Sequence, residues 1–253
     1  MPPWAELVGA LQGVERWLLP SECLLCARPS GSEPQDPLIC PLCRSRWIHL
    51  PDPVCLRCGQ PLTGGIECRI CAGWPPGLTA VRSAVWLTAG ARQAVHHLKY
   101  GGWWRIADAM VPAMHRLTPL AGGIVLVPLP LGTARRRERG YNQSESLARA
   151  LARILGAPVR TDLLWRTRET RRQTGLAPEA REANVRDAFQ ARPSGRSQPV
   201  LVDDVFTTGA TLVSAASALL EAGARSVSAV TFARARRPLD DDVAHLAQSG
   251  DLR

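Results

Sequence analysis

The chain has 253 residues, of which 45% are hydrophobic and 21% are charged, a composition that predicts a buried core and excludes a disordered or collagen-like protein. Its formal net charge is +9, and 30 of its 31 basic residues are arginines, so that Lys99 is the one lysine. No run of 18 apolar residues is present, which excludes a membrane-spanning helix and predicts a cytoplasmic protein that does not insert into a membrane.

Residues 1–20 are predicted to form an amphipathic helix rather than a secretory signal peptide. Charged side chains interrupt the apolar stretch, and no basic segment precedes it. The apolar side chains share one face at helical spacing, namely Leu7, Val8, Leu11, Val14 and Leu18. We expect this face to dock on a neighbouring part of the protein.

All eight cysteines fall in four Cys-x-x-Cys pairs within residues 21–77. The pairs are Cys23/Cys26, Cys40/Cys43, Cys55/Cys58 and Cys68/Cys71. Two thiolates on such a tight turn reach one Zn²⁺ at about 2.3 Å, whereas a disulfide within a pair is strained. Eight ligands predict two zinc sites of four cysteines each, which stabilise the fold and leave no open position for catalysis. A disulfide-linked secreted domain is the alternative, and the regular spacing without a signal peptide argues against it.

The four cysteine pairs can combine sequentially or in crossed order. Loop entropy hardly distinguishes the two, since doubling a closed loop costs only about 0.6 kcal/mol. We favour sequential pairing, because two consecutive zinc ribbons need no interleaving of the chain. The sequence therefore predicts a double zinc ribbon over residues 21–77 that ends in the turn-rich linker from Gly73 to Gly77.

Residues 78–237 alternate between predicted strands and helices. The strands are predicted at 81–87, 124–127, 199–202 and 227–232, and the helices at 91–100, 106–117, 144–155 and 211–222. This alternation predicts an α/β domain, in which a parallel sheet has helices on both faces. Residues 238–253 are predicted to form an acidic tail.

The segment from Val200 to Thr211 combines a buried strand, two carboxylates, a hydroxyl-rich turn with a glycine, and the start of a helix. Such a turn can wrap a phosphate with main-chain N–H groups and threonine hydroxyls, aided by the helix dipole. The carboxylates repel a phosphate and suit ribose hydroxyls or a hydrated Mg²⁺. The pattern resembles the phosphoribosyl diphosphate signature of type I phosphoribosyltransferases, and the alternative is an Asp cap before an ordinary helix. The predicted binding set here is Asp203, Asp204, Val205, Thr207, Thr208, Gly209, Ala210 and Thr211, with Asp203 and Asp204 also predicted to be catalytic.

The same ligand is predicted to contact residues outside this segment. Pro128 follows a buried strand, where tight backbone can present N–H groups to a diphosphate, although a simple strand exit is an equal alternative. Arg135 and Arg139 belong to a predicted flexible basic loop that folds over the diphosphate, and the alternative is a solvated arginine cluster. Lys99 is the last residue that we predict to contact this ligand. Asn142 and Gln143 are expected only to start the next helix.

Charge is distributed unevenly. Residues 131–192 carry 14 arginines and seven acidic residues, whereas residues 1–77 carry six basic and seven acidic residues, so the middle of the chain is the expected contact for a polyanion. Aromatic side chains stand beside basic ones at Trp103 and Trp104 and again at Trp165, next to Arg166, Arg168, Arg171 and Arg172, which is typical of single-stranded nucleic acid sites. Core packing is the commoner role of tryptophan. We therefore expect at most one of Trp103 and Trp104 to be available for stacking on a base. His96 and His97 are expected to be structural.

Six motifs follow one another between Cys23 and Ala235. They are the cysteine pairs, His97–Gly101, Val127–Pro130, Arg139–Gln143, Gln173–Leu176 before Glu179–Val185, and the Asp203 loop. Together they resemble the ComF (competence protein F) family, also called ComF/GntX. The sequence departs from that family at Tyr141, where Phe is frequent, at Leu129, where Val is frequent, and at Ala177-Pro178, where a Ser usually begins the next helix.

The resemblance implies a phosphoribosyltransferase type I fold, a role in DNA uptake during natural transformation, and binding of single-stranded DNA. A DNA-uptake helicase or other competence machinery is the implied protein partner. The family's phosphate and ribose contacts carry over to Asp203, Asp204, Thr207, Thr208, Gly209 and Thr211. Family membership does not by itself establish turnover.

Three functions are compatible with these residues. The favoured hypothesis is a DNA-processing module that binds phosphoribosyl diphosphate or a nucleotide in the Asp203 loop and single-stranded DNA on its basic middle region. The alternative is a metabolic Mg²⁺-dependent phosphoribosyltransferase acting on a nucleobase or amine, in which Asp203 and Asp204 offset positive charge on the sugar in the transition state. A ligand sensor without turnover is the third.

Overall fold

A computed structural model describes residues 22–29, 38–52, 54–62, 68, 70–118, 123–167 and 188–236. The predicted N-terminal helix (1–20) and acidic tail (238–253) lie outside the described residues. So do the motif residues 173–185 and the arginines Arg168, Arg171 and Arg172 of the second basic cluster.

The helices and strands of the described residues follow one another in a largely alternating order. In chain order they are α1 (Pro41–Ser45), β1 (Leu78–Trp86), α2 (Ala89–Tyr100), a 3-10 turn (Trp104–Ile106), α3 (Ala107–His115), β2 (Ile124–Pro128), α4 (Thr133–Arg139), α5 (Gln143–Leu155), β3 (Leu164–Arg166), β4 (Phe189–Ala191), β5 (Gln198–Phe206), α6 (Ala210–Glu221) and β6 (Val227–Arg234).

Four strands form one parallel sheet in the order β1-β6-β5-β2. The strands are rich in apolar residues because both faces are buried, and β2 and β6 are buried along their whole length. Since all four strands run in the same direction, their carboxyl ends meet at one edge of the sheet. This is the edge at which open parallel sheets bind ligands.

Helices cover both faces of the sheet. On one face, α3 and α5 pack together with α2, and on the other face α6 packs beside the antiparallel hairpin of β3 and β4. Alternate residues of one strand serve the two cores, so that Leu126 belongs to the core under α5 and Val127 to the core under α6. The predicted α/β class and parallel sheet are confirmed.

The cysteine-rich module packs directly on the α/β domain. The ring of Trp47 meets Phe232 edge-on, with centroids 4.9 Å apart. Backbone pairing continues across the boundary, because Trp86 N–H donates to Ile48 O at 2.8 Å and Val81 N–H donates to Arg57 O at 2.7 Å. The outer edge of β1 is therefore covered by the module.

Two local features differ from the sequence analysis. The flexible basic loop predicted around residues 135–139 is a helix, α4, so that prediction is wrong. Alanine, arginine and glutamate favour helix, and Gly140 ends the helix at φ 78°. The β3–β4 hairpin was not predicted, because three-residue strands carry too little periodicity to be recognised.

Within the part of the chain that the structure describes, no helix is long and apolar enough to cross a membrane. The longest helix there, α5, has 13 residues.

Candidate functional site

The two acidic residues of the predicted site lie near the carboxyl end of β5. Asp204 has a side chain that is 4% exposed, and Lys99 Nζ from the last turn of α2 lies 3.0 Å from its Oδ1. Asp203 is partly exposed and accepts a hydrogen bond of 2.8 Å from the hydroxyl of Ser144 in the first turn of α5. The structure thus brings Lys99 to the predicted acids, although Lys99 and Asp204 are far apart in the sequence.

The two acids, Asp203 and Asp204, differ in how their carboxyl groups are stabilised. Burial, and after it the charge of Asp204, raises the pKa of Asp203 to about 7, although the Lys99 ammonium and the Ser144 hydroxyl act in the opposite direction. Asp204 Oδ2 is buried and has no hydrogen-bond partner among the described residues. A buried acceptor without a partner costs roughly 1–3 kcal/mol. This oxygen is therefore suited to accept a ligand hydroxyl or to bind a hydrated cation.

The turn after β5 leads from the two acids into α6. Gly209 adopts φ 85°, a conformation that side chains rarely tolerate, and it caps the N-terminus of α6. The hydroxyl of Thr208 accepts a hydrogen bond of 3.4 Å from Ala210 N–H. Thr207, Thr208 and Thr211 are partly exposed around the buried Gly209 and Ala210. The N-terminus of α6 thus follows within a few residues of the two acids.

Bulky side chains support this turn from below. A Cβ atom at Gly209 would lie 2.9 Å from Phe206 Cε2 and 3.1 Å from Trp74 Cζ2. The guanidinium carbon of the fully buried Arg234 lies 4.2 Å from the Phe206 ring centroid. Arg234 also donates to Cys58 O at 2.9 Å. The turn is therefore connected, first through Phe206 and then through Arg234, to Cys58 in the cysteine-rich module.

The corner between α4 and α5 lies next to the acids. Asn142 caps α5 by accepting from Ser144 N–H at 3.1 Å, and its amide donates to Leu129 O at 2.9 Å. Arg139 donates to Gln143 Oε1 at 2.9 Å. The prediction that Asn142 and Gln143 start the next helix is confirmed, and Asn142 also ties this start to the exit of β2.

A tyrosine contact fixes α2 against the same corner. Tyr141 donates its hydroxyl hydrogen bond to Leu98 O, and burial raises the pKa of Tyr141. Phenylalanine, which the ComF family often has here, could not make this bond. The bond holds the end of α2, and with it Lys99, against the start of α5.

The remaining predicted contacts lie around this centre. Pro128 is buried at the end of β2, and the next N–H group, that of Leu129, donates to Val202 O at 3.0 Å, so it is engaged in the sheet. Arg135 lies partly exposed on α4. Of the two tryptophans beside Lys99, Trp104 is 51% exposed whereas Trp103 packs against the core, which confirms that only one is available.

The eight cysteines form two separate tetrads. The sulfur atoms of Cys23, Cys26, Cys40 and Cys43 lie within 4.8 Å of one another, and so do those of Cys55, Cys58, Cys68 and Cys71. Tetrahedral zinc with Zn–S bonds of about 2.3 Å places its ligands about 3.8 Å apart. The Cys26–Cys40 and Cys55–Cys71 sulfur separations are 3.8 and 3.7 Å. The grouping is sequential, as the sequence analysis favours, and both tetrads suit zinc.

The protonation behaviour of the sulfurs also fits a bound cation. Burial alone would raise the pKa of Cys23, but N–H groups of Cys40 and Leu25 donate to its sulfur at 3.3 and 3.5 Å and lower that pKa to about 7. Burial and the neighbouring sulfurs raise the pKa of Cys43. Four thiolates this close repel one another unless a cation binds between them, and Zn²⁺ supplies that charge.

Several site residues were missed by sequence reasoning. Ser144 and Gln143 come from α5, and their contacts with Asp203 and Arg139 depend on how α5 packs. Trp74, Phe206 and Arg234 support the turn after β5, the predicted phosphate turn, from the core. Gln143 belongs to the motif from Arg139 to Gln143, which is a signal in the sequence, whereas nothing in the sequence marks Arg234.

Two family models match the chain, a double zinc ribbon domain over residues 14–72 and a phosphoribosyl transferase domain over residues 142–248. The chain is 31% identical over 218 residues to the DNA utilization protein YhgH of Escherichia coli, covering 83% of this chain and 95% of that protein. It is 29% identical over 220 residues to competence protein ComFC of Bacillus subtilis, covering 79% and 85%. Competence protein F of Haemophilus influenzae is 35% identical over 114 residues, covering 44% and 50%.

Among solved structures, that of Leishmania donovani UMP synthase matches with a TM-score of 0.32 and 19% sequence identity. The match covers 63% of this chain and 27% of the UMP synthase chain.

Proposed function

Since the chain belongs to the ComF family, whose members include DNA utilization and competence proteins, we propose that it acts in the uptake or use of DNA and binds phosphoribosyl diphosphate or a nucleotide. The ligand site of this proposal is the carboxyl edge of the sheet, formed by Asp203, Asp204 and the turn up to Thr211. The zinc ribbons support the domain and take no part in chemistry.

One observation carries the ligand proposal. Asp204 Oδ2 is a buried carboxylate oxygen without a hydrogen-bond partner among the described residues, and it lies beside a turn that favours an anion. A ribose 5-phosphate group satisfies both features, because its hydroxyls donate to carboxylates and its phosphate accepts from backbone N–H groups. A ligand with only one of these groups leaves the other half of the site unused.

Mg²⁺ fits the same residues. Asp203 and Asp204 offer carboxylate oxygens, the ligands that Mg²⁺ prefers, and hydrated Mg²⁺ neutralises part of a diphosphate charge when bound. Lys99 already supplies one positive charge at Asp204 Oδ1. At Asp203 the Lys99 ammonium only partly offsets the effect of burial, so Asp203 is the acid that we expect to gain most from the metal.

Calorimetric titration with phosphoribosyl diphosphate and Mg²⁺ tests the ligand proposal. The double variant Asp203→Asn/Asp204→Asn should bind at least tenfold more weakly than the wild type, which corresponds to about 1.4 kcal/mol. Asp52→Asn/Asp162→Asn removes two exposed carboxylates away from the site and should bind within about twofold of the wild type. Equal binding by all three proteins would refute the site.

The DNA part of the proposal depends on α4. Arg136 and Arg137 are exposed and Arg135 is partly exposed on this helix, which begins five residues after the end of β2 at the ligand edge. Trp104 adds an exposed ring, with the Arg105 guanidinium carbon 6.0 Å from its centroid. Cations that meet phosphates and rings that stack on bases are the two components of single-stranded DNA sites.

Charge reversal tests the DNA part. The triple variant of Arg135, Arg136 and Arg137 to Glu should weaken binding of a single-stranded oligonucleotide more than tenfold at moderate salt. It should also lower the slope of log K against log salt by about two, since each phosphate contact contributes about 0.7. The matched control changes Arg46, Arg92 and Arg116, also exposed, to Glu with the same change in net charge. Equal losses in both variants would show that α4 has no special role.

A second function, transfer of ribose phosphate to a nucleobase or amine, uses the same site. This second function is supported by the two carboxylates, Asp203 and Asp204, because negative charge can offset the positive charge that develops on a sugar in the transition state. Measuring diphosphate release with a panel of bases and amines distinguishes ligand binding without turnover from phosphoribosyl transfer. Binding without release supports the DNA module or a ligand sensor, and release supports the transferase.

A further inference from the structure

Four contacts, joined by neighbouring residues of α2 and α5, lead from the two acids to Tyr100. Starting at the acids, Ser144 donates to Asp203 at 2.8 Å, and Lys99, on the other side, pairs with Asp204 at 3.0 Å. Gln143, the neighbour of Ser144, accepts from Arg139 at 2.9 Å. The Arg139 guanidinium carbon in turn lies 4.8 Å from the ring centroid of Tyr100, the neighbour of Lys99. Tyr100 and Arg139 therefore form the outer rim of the predicted ligand site.

The ring of Tyr100 is poorly buried for an aromatic side chain. It is 53% exposed, and its contacts are the guanidinium of Arg139 and the ring of His96 at 5.1 Å. A half-exposed ring with a cation above it attracts flat, electron-rich rings, because stacking and cation–π attraction act together. Among ligands that carry a ribose phosphate, the group of this kind is a nucleobase.

The residues around Tyr100 hold its backbone and the Arg139 guanidinium in place, which favours a role of the ring in ligand binding. Tyr141 holds the end of α2 through its bond to Leu98 O, so the backbone that carries Tyr100 is fixed. Gln143 holds the guanidinium of Arg139 in place. A positioned, half-exposed ring loses little conformational freedom when a ligand stacks on it, which is the condition for useful binding energy.

We propose that Tyr100 and Arg139 form a shelf that stacks on the nucleobase of a ligand whose sugar 5′-phosphate occupies the Asp203 loop. This inference rests on the proposed function, and it adds a base-recognition element to a site that the sequence analysis defined only by its phosphate, ribose and metal contacts. The base belongs either to a mononucleotide or to the 5′-terminal nucleotide of a DNA strand. Both sources present a base and a 5′-phosphate, whereas only the ribonucleotide also offers free sugar hydroxyls to Asp203 and Asp204, because the sugar at a DNA 5′ end lacks the 2′ hydroxyl and is esterified at the 3′ oxygen.

Binding of three probes to the zinc-loaded full chain with Mg²⁺ tests the shelf. The probes are ribose 5-phosphate, adenosine 5′-monophosphate and a 5′-phosphorylated single-stranded oligonucleotide. Wild type should bind the nucleotide more tightly than ribose 5-phosphate. Tyr100→Ala should lose roughly tenfold of its affinity for the base-containing probes and keep its affinity for ribose 5-phosphate. Loss with both base-containing probes indicates that the shelf accepts free nucleotides, and loss with the oligonucleotide alone assigns the base to DNA.

Two controls complete the experiment. Tyr100→Phe keeps the ring and should bind like the wild type. Trp165→Ala removes another exposed ring with an arginine over it, from the hairpin on the opposite face of the sheet, where the Arg192 guanidinium carbon lies 5.5 Å from the ring centroid. This change should not affect mononucleotide binding. An unchanged affinity of Tyr100→Ala for both base-containing probes, or a parallel loss for ribose 5-phosphate, would overturn the shelf. If the wild type binds none of the probes, the proposed function fails as well.

Discussion

Lys99 Nζ lies 3.0 Å from Asp204 Oδ1, which joins the last turn of α2 to the central region of the sheet through the one lysine of the chain. The lysine side chain is 23% exposed and the aspartate side chain 4% exposed. The carboxylate is therefore a buried charge that depends on one neighbouring cation. Breaking such a pair from one side costs more than removing both charges.

Lys99→Met is expected to destabilise the protein by about 2–4 kcal/mol, because it leaves the Asp204 carboxylate buried without its cation. Asp204→Asn in the Lys99→Met background should recover most of that loss. Urea unfolding of the four proteins of this cycle measures the coupling between the two residues. Additive effects, with no recovery in the double variant, would show that the ion pair has no energetic role.

Asp203→Asn is expected to stabilise the protein increasingly as the pH rises. Mainly because of burial, the pKa of Asp203 is about 7 in the folded chain, against 3.8 as its ordinary value. Unfolding therefore releases a proton between these pH values, and the free energy of unfolding of the wild type falls as the pH rises through that window. Asparagine has no proton to release. Thermal melts from about pH 5 to about pH 8 should show the difference widening by roughly 1–3 kcal/mol, and a constant difference would contradict it.

Gly209→Ala is expected to disrupt the phosphate turn. The new methyl group would lie 2.9 Å from Phe206 Cε2, and the residue would keep φ 85°, so both crowding and backbone strain oppose it. Gly223→Ala is the matched control, since Gly223 has φ 94° but nothing within 4 Å of the added atom. Gly209→Ala should cost at least about 1 kcal/mol more stability than Gly223→Ala, and only Gly209→Ala should weaken ribose 5-phosphate binding. Equal effects of the two substitutions would show that the short distance between position 209 and the Phe206 ring has no role.

The second cysteine tetrad is expected to influence the ligand site more than the first. Arg234 links Cys58 O to the ring of Phe206 beneath the phosphate turn. Cys68→Ser should therefore reduce zinc content from two ions to one and weaken ribose 5-phosphate binding several-fold. Cys26→Ser, at an equally half-buried position of the first tetrad, should cause the same zinc loss with a smaller effect on binding. Metal analysis and calorimetry compare the two, and equal binding losses would contradict the link.

The sequence predicted the features that local patterns determine. The doublet spacing of the cysteines is enough to specify two tetrads, because each pair occupies one tight turn. The parallel sheet follows from apolar runs that alternate with helical periods, and the acids near the end of β5 follow from the segment that begins at Val200. In each case, residues close in sequence carry the whole signal.

Other features depend on packing between distant segments. The Ser144 hydroxyl reaches Asp203 only because α5 packs against β5, and the sequence around Ser144 reads as an ordinary helix start. Arg234 looks like a surface arginine at the end of a strand, yet it is fully buried by Phe206 and the second tetrad. The helix α4 differs from the predicted loop because its alanine, arginine and glutamate residues favour helix, although it has no buried residue to give an apolar helical period.

The backbone contacts of β1 with the cysteine-rich module carry a consequence for dissecting the protein. Ile48 and Arg57 occupy hydrogen-bonding positions along an outer strand that would otherwise present unsatisfied amides and carbonyls to any other chain. A fragment that starts at residue 78 would leave that strand bare and should template aggregation. The cysteine-rich module thus protects the α/β domain against misassembly, and that domain is best studied without trimming the module away.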